Sequence, residues 1–359
     1  MEYFIIFGDH MTKLLLKGNI AVAEAAIIAG CRYYFGYPIT PQNEIPMYLS
    51  KRMPEVGGVF VQAESELASI NMVFGAAAAG ARVMTTTSSP GYSLMQEGVS
   101  YIASAELPCV LLNVMRGGPG LGNIAPAQGD YFQAVKGGGH GDYKLIVLAG
   151  ENTQEMAELV IEAFDLADLY KTPVLLLGDG LLGQLSEPVE LPKPSNRKMP
   201  EKKWALTGAK GRKKNVIRTL WLYPEEAVTN HNIKLFEKYS KIEKELLKYE
   251  LYKTEDAELI IAAYGTSARI SKESIDMARS KGMKVGMIRP ITLWPFPGTI
   301  MNELADKCKK FLTVEMSMGQ FVEDVKLSIC GKAKTEFFGL GGGWVPTAED
   351  IFQKIKEYY

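Results

Sequence analysis

The sequence contains few cysteines and no excess of charge of either sign. Four cysteines occur among its 359 residues, and no two of them form a CxxC pair. Neither a zinc ribbon nor a cysteine-ligated iron–sulfur cluster can therefore be built from this chain alone. With 40 Lys+Arg and 41 Asp+Glu the formal net charge is -1. This balance gives no bulk electrostatic reason to expect binding to nucleic acid or to a membrane surface.

Long hydrophobic runs are also missing. No apolar stretch reaches the roughly 18 residues of a membrane span, and the N-terminus lacks the basic start and the cleavage site of a signal peptide. We therefore expect a soluble cytoplasmic protein in which Cys31 and Cys109, both in apolar surroundings, are buried reduced thiols. Residues 1–11 precede the first periodic segment and are expected to form an N-terminal extension.

The histidines and the glycine-rich segments match no nucleotide-binding or hydrolase motif. Three histidines and the absence of a GxSxG sequence argue against a Ser/His/Asp hydrolase. The segments RGGPGLGN, KGGGHGDY and GLGGGW fit neither GxGxxG nor a P-loop, and His140 is expected to be a surface or interface residue. The GDG at 178–180 lacks the downstream asparagine of a magnesium and diphosphate motif. No metal site is predicted in this chain.

Short apolar runs alternate with segments of helical periodicity from residue 12 to about residue 180, and the pattern resumes near residue 256. Such alternation predicts the α/β class, with a mostly parallel sheet that carries helices on both faces. About six strands are expected in the first half. We predict domains over 12–190 and 256–359, the second of them smaller, joined by a linker and a helix over 191–255.

Local signals mark several helix ends and the connection between the domains. Asn19 is the predicted N-cap of the first helix, and Thr347 with Asp350 forms a box-like start of the last helix. Segment 186–230 is rich in Pro, Lys and Arg and has no periodicity. It is expected to be a solvated connection, although its basic cluster could also contact an acidic partner.

Glu66 is the first candidate functional residue. It opens the segment ELASINMVFGAAAAG, and the positions that share its helix face carry Ile70, Val73 and Ala77. A carboxylate on an apolar face needs a hydrogen-bonding partner or a ligand, because burying it unpaired costs several kcal/mol. The alternative is an exposed Glu66 that only complements the positive end of the helix dipole, a contribution of roughly 0.3 to 1 kcal/mol.

Three loops that follow predicted strands supply further candidates. The loop YPITP holds the hydroxyl of Thr40 between two prolines, and the segment TTTSSPGY contains Ser88 and Ser89. Arg116 ends the run CVLLNVMR and can bind a planar carboxylate through two hydrogen bonds. Open α/β sheets bind ligands at the carboxyl ends of their strands. Together with Glu66, these residues suggest an anionic organic substrate beside a group that must be protonated.

The segments carrying these residues resemble a known family. The stretch from GNIAVAEAAIIAG through YPITP and AESELASINMVFGAAAAG to TTTSSPGY, followed by NVMRGGPGLGN and KGGGHGDY, is similar to the pyrimidine-binding subunit of 2-oxoacid:ferredoxin oxidoreductases. AYGTSARI, IRPITLWPFP and VEMSMGQFVEDV resemble its transketolase-C-terminal-like domain. Within the family the chain is most similar to the enzymes that act on 3-methyl-2-oxobutanoate (2-ketoisovalerate).

The resemblance implies roles for the candidate residues. Glu66 corresponds to the glutamate that hydrogen-bonds the aminopyrimidine of thiamine diphosphate and so promotes removal of the C2 proton of its thiazolium ring. Thr40 and Arg116 match positions that contact the 2-oxoacid, with the arginine holding its carboxylate. The loop residues that would border the cofactor are Tyr37, Pro38, Ile39, Ser88 and Ser89.

The resemblance also implies the reaction and the partners. A 2-oxoacid would be oxidatively decarboxylated to an acyl-CoA and CO2, and electrons would pass to ferredoxin. A diphosphate-binding subunit and an iron–sulfur subunit would supply the Mg2+ and the clusters that this chain lacks. Two alternatives remain open at this point: a subunit specific for 2-oxoglutarate or pyruvate, and a non-catalytic α/β assembly subunit.

Overall fold

The computed structural model describes residues 5–8 and 11–359. Residues 1–4 and 9–10 of the expected N-terminal extension lie outside this part. The strands are β1 (Ile5–Gly8), β2 (Met11–Lys17), β3 (Tyr33–Gly36), β4 (Val59–Gln62), β5 (Val83–Thr87), β6 (Cys109–Met115), β7 (Ile146–Leu148), β8 (Pro173–Asp179), β9 (Ser186–Val189), β10 (Tyr249–Tyr252), β11 (Leu259–Ala262), β12 (Val285–Pro290), β13 (Thr292–Trp294), β14 (Lys310–Glu315) and β15 (Lys334–Gly339).

Helices follow most of these strands. They are α1 (Gly18–Ile28), α2 (Glu44–Glu55), α3 (Glu66–Ala78), α4 (Pro90–Ser104), α5 (Tyr131–Val135), α6 (Thr153–Tyr170), α7 (Gly180–Gln184), α8 (Glu226–Glu245), α9 (Gly265–Ser280), α10 (Gly298–Lys307), α11 (Phe321–Ile329) and α12 (Ala348–Tyr358). Within the described ranges, no helix combines the length and the apolar character needed to cross a membrane.

The larger sheet has seven strands in the order β13-β7-β8-β6-β5-β3-β4. Six of them are parallel, and β13, from the second half of the chain, pairs antiparallel with β7. Strands β5, β6 and β8 are buried along their whole length, as expected of a parallel sheet covered by helices on both faces. The α/β class predicted from the sequence is confirmed, and the six strands expected in the first half are the six parallel strands of this sheet.

The second sheet has five strands in the order β10-β12-β11-β14-β15. Strands β12, β11, β14 and β15 are parallel, and β10 is an antiparallel edge strand that lies within the segment expected to be linker and helix.

The capping box predicted from Thr347 and Asp350 forms the start of α12. The Asp350 amide donates to Thr347 Oγ1 (3.1 Å), and the Thr347 amide donates to Asp350 Oδ2 (2.9 Å). A third sheet joins β1, β2 and β9.

The start of the first helix differs from the expectation. Helix α1 begins at Gly18, so Asn19 lies in its first turn and is not the N-cap. Asn19 is fully buried, and its Nδ2 donates to the carbonyl of Pro41 (2.8 Å) and to Oε2 of Glu44 (2.9 Å). The side chain therefore connects α1 to the beginning of α2, and this long-range contact removes it from the capping role that its local sequence favours.

Both cysteines singled out in the sequence are buried free thiols, as predicted. Burial raises the pKa of the Cys31 thiol to about 12 and shifts that of Cys109 in the same direction. A thiol with a raised pKa forms little thiolate at neutral pH and is a poor nucleophile. These cysteines therefore belong to the core of the first sheet.

Candidate functional site

The candidate residues lie after four neighbouring strands of the larger sheet. Strands β4, β3, β5 and β6 are adjacent and parallel, so their carboxyl ends meet at one edge. Residues 37–41 (YPITP) follow β3, and Glu66 follows β4 as the first residue of α3. Ser88 and Ser89 follow β5, and Arg116 follows β6. The fold thus brings the candidates to the edge where open α/β sheets bind ligands.

Glu66 is held in a buried position without a partner. Ser65 caps α3 by accepting a hydrogen bond from the Ala68 amide (3.2 Å), which fixes the start of the helix. Glu66 itself is 4% exposed, so the alternative of an exposed residue at the helix end does not hold. Within residues 5–8 and 11–359 its carboxylate makes no hydrogen bond and no ion pair. A buried carboxylate in this state calls for a donor from a ligand or another chain.

Two threonine hydroxyls of β5 share the buried surroundings of this edge. Thr85 Oγ1 and Thr87 Oγ1 are buried without a hydrogen-bonding partner in the described part of the chain, and so is Ser88 Oγ. Thr87 faces Glu66 across Gly91, because a β-carbon added at Gly91 would lie 2.2 Å from Thr87 Oγ1 and 2.4 Å from Glu66 Oε1. Several polar atoms are thus left unsatisfied on one side of β5.

Arg116 joins two loops at the same edge. Its Nη1 donates to the carbonyl of Thr40 (2.9 Å), and its Nη2 donates to the carbonyl of Leu121 (3.0 Å). The residue is 7% exposed, and its Nε has no hydrogen-bonding partner in the described structure. A guanidinium has five N–H donors, so donors remain for a ligand after the two backbone carbonyls are bound. The Thr40 hydroxyl accepts a hydrogen bond from Asn43 Nδ2 (3.1 Å).

The YPITP loop is held from β5. Gln42 is fully buried, its Nε2 donates to the carbonyl of Tyr37 (3.1 Å), and its Oε1 accepts a hydrogen bond from Thr86 Oγ1 (2.5 Å). Tyr37 and Pro38 are exposed and Ile39 is half-buried. The side chains of these three residues make no hydrogen bond to the described part of the chain. They lie at the outer border of the sheet edge, and none of them makes a polar contact with Glu66.

The second half of the chain contributes to the site through loop 116–130. Gln128 is fully buried, its amide donates to the carbonyl of Met316 (2.8 Å), and its Oε1 accepts hydrogen bonds from Ser267 Oγ (2.7 Å) and from the Met316 amide (2.9 Å). Asn123 Nδ2 donates to the carbonyl of Gly342 (2.8 Å). The loop that begins with Arg116 is therefore fixed to the second sheet and its loops.

A cleft of about 360 Å³ lies between the two halves, beside this loop. Its walls are the start of α4, loop residues 118–130, and residues 316–320 and 341–342. None of its lining residues is Lys or Arg, and Asp130 is the one carboxylate among them. Burial raises the pKa of Asp130, although hydrogen bonds from Ser89 and Asn113 and the charge of Arg116 oppose the shift.

Asp130 and Gly91 were not singled out in the sequence. Asp130 belongs to the site through a hydrogen bond to Ser89, which is 41 residues away, and no local pattern marks such a contact. Gly91 follows a proline at the start of α4, which is an ordinary helix start. Its importance arises from its close approach to Thr87 Oγ1 and to the Glu66 carboxylate.

The other sequence features lie outside the site. Asp179, in the GDG at 178–180, caps α7 by accepting hydrogen bonds from the amides of Leu181 (2.9 Å) and Leu182 (3.2 Å). Burial raises the pKa of Asp179. His140 is exposed in the loop after α5. Among the described residues, no group of three or more His, Cys, Asp and Glu side chains is placed to hold a metal ion.

Comparison with known proteins gives a consistent result for the whole chain. A sequence model of the family described as pyruvate flavodoxin/ferredoxin oxidoreductase, thiamine diphosphate-binding, matches residues 24–256. A second model, described as pyruvate:ferredoxin oxidoreductase core domain II, matches residues 257–351.

Two relatives align over almost the whole chain. The chain is 50% identical over 347 residues to ketoisovalerate oxidoreductase subunit VorB of Methanothermobacter marburgensis, an alignment that covers 97% of this chain and 98% of the relative. It is 38% identical over 338 residues to 2-oxoglutarate synthase subunit KorA of Archaeoglobus fulgidus, with 92% and 95% covered.

A solved structure has the same fold. The chain is similar to a 2-oxoglutarate:ferredoxin oxidoreductase from Magnetococcus marinus with 2-oxoglutarate, coenzyme A and succinyl-CoA bound, with a TM-score of 0.88 and 29% sequence identity. The match covers 98% of this chain and 66% of that longer chain, so this chain corresponds to part of it.

Proposed function

The chain belongs to the thiamine-diphosphate-binding pyruvate flavodoxin/ferredoxin oxidoreductase family, and from that membership we propose that it holds the pyrimidine half of thiamine diphosphate in a 2-oxoacid:ferredoxin oxidoreductase. The assembled enzyme oxidatively decarboxylates a 2-oxoacid to an acyl-CoA and CO2 and reduces ferredoxin. The observation that carries the proposal is the carboxylate of Glu66, which is buried and has no partner among the described residues. A protonated ring nitrogen of the aminopyrimidine would supply the donor that this carboxylate lacks.

When bound, thiamine diphosphate supplies the nucleophilic carbon and the electron sink that decarboxylation of a 2-oxoacid requires. Glu66 would hold a proton at the ring nitrogen that lies across the ring from the amino group. That amino nitrogen, after giving up one of its own protons, could then accept another. The 4% exposure of Glu66 leaves it little contact with water, which strengthens this hydrogen bond. The residues proposed to border the cofactor are Tyr37, Pro38, Ile39, Ser88 and Ser89.

We assign the substrate carboxylate to Arg116 and Thr40. The Nε and the remaining Nη hydrogens of Arg116 are available for a planar carboxylate, and the Thr40 hydroxyl can donate its proton because its contact with Asn43 uses it as an acceptor. The bond from Arg116 to the Thr40 carbonyl keeps both residues at one place on the sheet edge. Substrate and cofactor would then be held by neighbouring loops.

A branched-chain 2-oxoacid such as 3-methyl-2-oxobutanoate is the proposed substrate. The 50% identity to a ketoisovalerate oxidoreductase subunit supports it more strongly than the 38% identity to a 2-oxoglutarate synthase subunit supports 2-oxoglutarate. Turnover of 3-methyl-2-oxobutanoate, 2-oxoglutarate and pyruvate by the purified complex tests this choice. A kcat/KM for 2-oxoglutarate or pyruvate equal to that for the branched substrate would reject it.

The proposed partners are a diphosphate-binding subunit, which would also hold Mg2+, and an iron–sulfur subunit. The four cysteines of this chain are free, and three of them are buried, so the chain offers no ligand set for a cluster. Coenzyme A and ferredoxin are co-substrates of the whole complex, which we place in the cytoplasm. The proposed domain boundaries are 12–190 for the pyrimidine-binding domain, 191–255 for the linker and helix, and 256–359 for the transketolase-C-terminal-like domain.

A structure of the complex with thiamine diphosphate and Mg2+ bound tests the proposal as a whole. We expect a ring nitrogen of the aminopyrimidine within hydrogen-bond distance of the Glu66 carboxylate and the diphosphate on the partner subunit. An aminopyrimidine bound elsewhere, or an edge of this sheet that other side chains occlude, would reject the role assigned to this chain.

A further inference from the structure

Ser89 has an uncommon backbone conformation at the centre of the site. It lies between β5 and α4 with φ 27° and ψ -82°, a positive φ that residues other than glycine seldom adopt. Such a conformation persists only where surrounding contacts impose it. The Ser89 amide donates to Asn113 Oδ1 (2.8 Å), which is the first of these contacts.

Asp130 provides the contact that completes the arrangement. Its Oδ2 accepts hydrogen bonds from Ser89 Oγ (2.6 Å) and from Asn113 Nδ2 (2.9 Å). Asp130 therefore binds both Ser89 and Asn113, which are also hydrogen-bonded to each other. With its own proton directed to Asp130, Ser89 Oγ accepts a hydrogen bond from the Arg116 amide (3.0 Å). The carboxylate of Asp130 is therefore connected to the backbone of Arg116 through one hydroxyl group.

Ser89 also affects the position of Gly91, which packs against Glu66. Ser89 is the residue before α4, and Gly91, two residues later, packs against the Glu66 carboxylate. A shift of Ser89 would therefore move Gly91 relative to Glu66 and the backbone of Arg116 relative to the YPITP loop. Asp130 forms no ion pair with any residue in the described ranges, so its hydrogen bonds to Ser89 and Asn113 are its polar contacts there.

We propose that Asp130 is a positioning residue. It acts through Ser89 to keep the backbone of Arg116 and the Gly91 segment that packs against Glu66 in their positions at the site. This inference rests on the proposed function, because it concerns the geometry of the same site. Asp130 is not required to transfer a proton in this role. It has to supply one oxygen that accepts two hydrogen bonds.

Steady-state kinetics of the reconstituted complex separate this role from the alternatives. Asp130→Ala and Ser89→Ala should each raise the KM for the 2-oxoacid about tenfold, the effect of losing a hydrogen bond to a charged group. Both should also lower kcat, because the Gly91 segment that packs against Glu66 shifts as well. The double variant should be little worse than either single variant, because both remove the same link. Asp130→Asn should keep the KM within about threefold of the wild type, since its amide oxygen can accept both hydrogen bonds. Asp142→Ala, an exposed acidic residue of the loop after α5, is the matched control.

Three results would overturn the proposal: an unchanged KM in Asp130→Ala, additive effects in the double variant, or an Asp130→Asn enzyme as impaired as Asp130→Ala. The last of these would indicate proton transfer by Asp130. If Asp130→Ala fails to assemble, Ser89→Ala and Asp130→Asn still decide the question. Failure of the proposed function is seen separately, as an unchanged KM in Arg116→Ala together with full exchange of the cofactor C2 proton in Glu66→Gln.

Discussion

The carboxylate of Glu66 packs against the bare Cα of Gly91: a β-carbon at residue 91 would lie 2.4 Å from Glu66 Oε1 and 2.7 Å from its Cγ. Contacts this short do not occur between real β-carbons and their neighbours. A side chain at residue 91 therefore has to displace Glu66 and also Thr87 Oγ1, which such a β-carbon would meet at 2.2 Å. Glycine is needed here because the Thr87 hydroxyl and the Glu66 carboxylate occupy the space that a side chain would require.

Gly91→Ala should therefore impair catalysis in a complex that still assembles. Displacing Glu66 by about 1 Å should lower the rate of cofactor C2-proton exchange by about a hundredfold. Exchange is started by dilution into deuterium oxide, stopped with acid and measured by NMR. Gly75→Ala is the control on α3, because a β-carbon there would meet nothing within 4 Å. It should leave exchange unchanged and stabilise the chain by about 0.5 to 1 kcal/mol. Wild-type exchange in Gly91→Ala would show that Glu66 is not held by this contact.

Arg116 should not tolerate lysine. Its guanidinium spans the carbonyls of Thr40 and Leu121 while Nε is left without a partner, and a lysine ammonium cannot reproduce this planar arrangement. Both Arg116→Ala and Arg116→Lys should raise the KM for the 2-oxoacid, by about 10- to 100-fold if the carboxylate is bound at this buried site. Arg218→Ala removes an exposed guanidinium of the linker and should have no effect. A normal KM in Arg116→Lys would mean that only charge matters at this position.

Glu187 should make stability depend on pH. Its carboxylate accepts hydrogen bonds from Arg269 Nη2 (2.6 Å) and from the amide (2.9 Å) and hydroxyl (2.7 Å) of Thr153. Burial alone would raise its pKa, but these donors and the charge of Arg269 lower the pKa to about 2 from its ordinary 4.5. A group with a lowered pKa stabilises the fold above its ordinary value, and this stabilisation is lost as the pH falls from about 4.5 towards about 2.

Glu187→Gln should thus lower the free energy of unfolding at pH 7 by about 1 kcal/mol, a figure kept small because the carboxylate is partly exposed and screened by solvent. The difference from the wild type should shrink progressively below about pH 4. Thermal unfolding of the isolated chain from pH 3 to pH 7 measures it, with the exposed Glu303→Gln as control. A difference that stays constant over this range would remove the ionised form of Glu187 from the explanation.

Much of the fold could be predicted because its signals are local. Apolar runs located the buried strands β5, β6 and β8, and the Thr347–Asp350 box marked the start of the last helix. Strand β13 could not be assigned to the first sheet, because three residues carry no information about a partner strand far away in sequence. Asn19 was wrongly taken as an N-cap because the contact that uses its side chain is made with another helix.

The candidate site was predictable only in part, for the same reason. Glu66 could be recognised from the apolar face of its own helix, and the structure buries it as that pattern indicated. Arg116 could be placed at the sheet edge by the strand before it, but its bonds to two backbone carbonyls depend on how the loops fold. Asp130 and Gly91 act through contacts that join separate elements, and such contacts have no signature in one sequence.

The central claim is that Glu66 supplies the acid that activates the cofactor, and Glu66→Gln tests it most directly. Glutamine keeps the shape of the side chain and removes its charge, so the complex should assemble and bind thiamine diphosphate. The rate of C2-proton exchange in that complex, measured by NMR, should fall to the rate of free thiamine diphosphate. Exchange at the wild-type rate in an assembled Glu66→Gln complex would contradict the account.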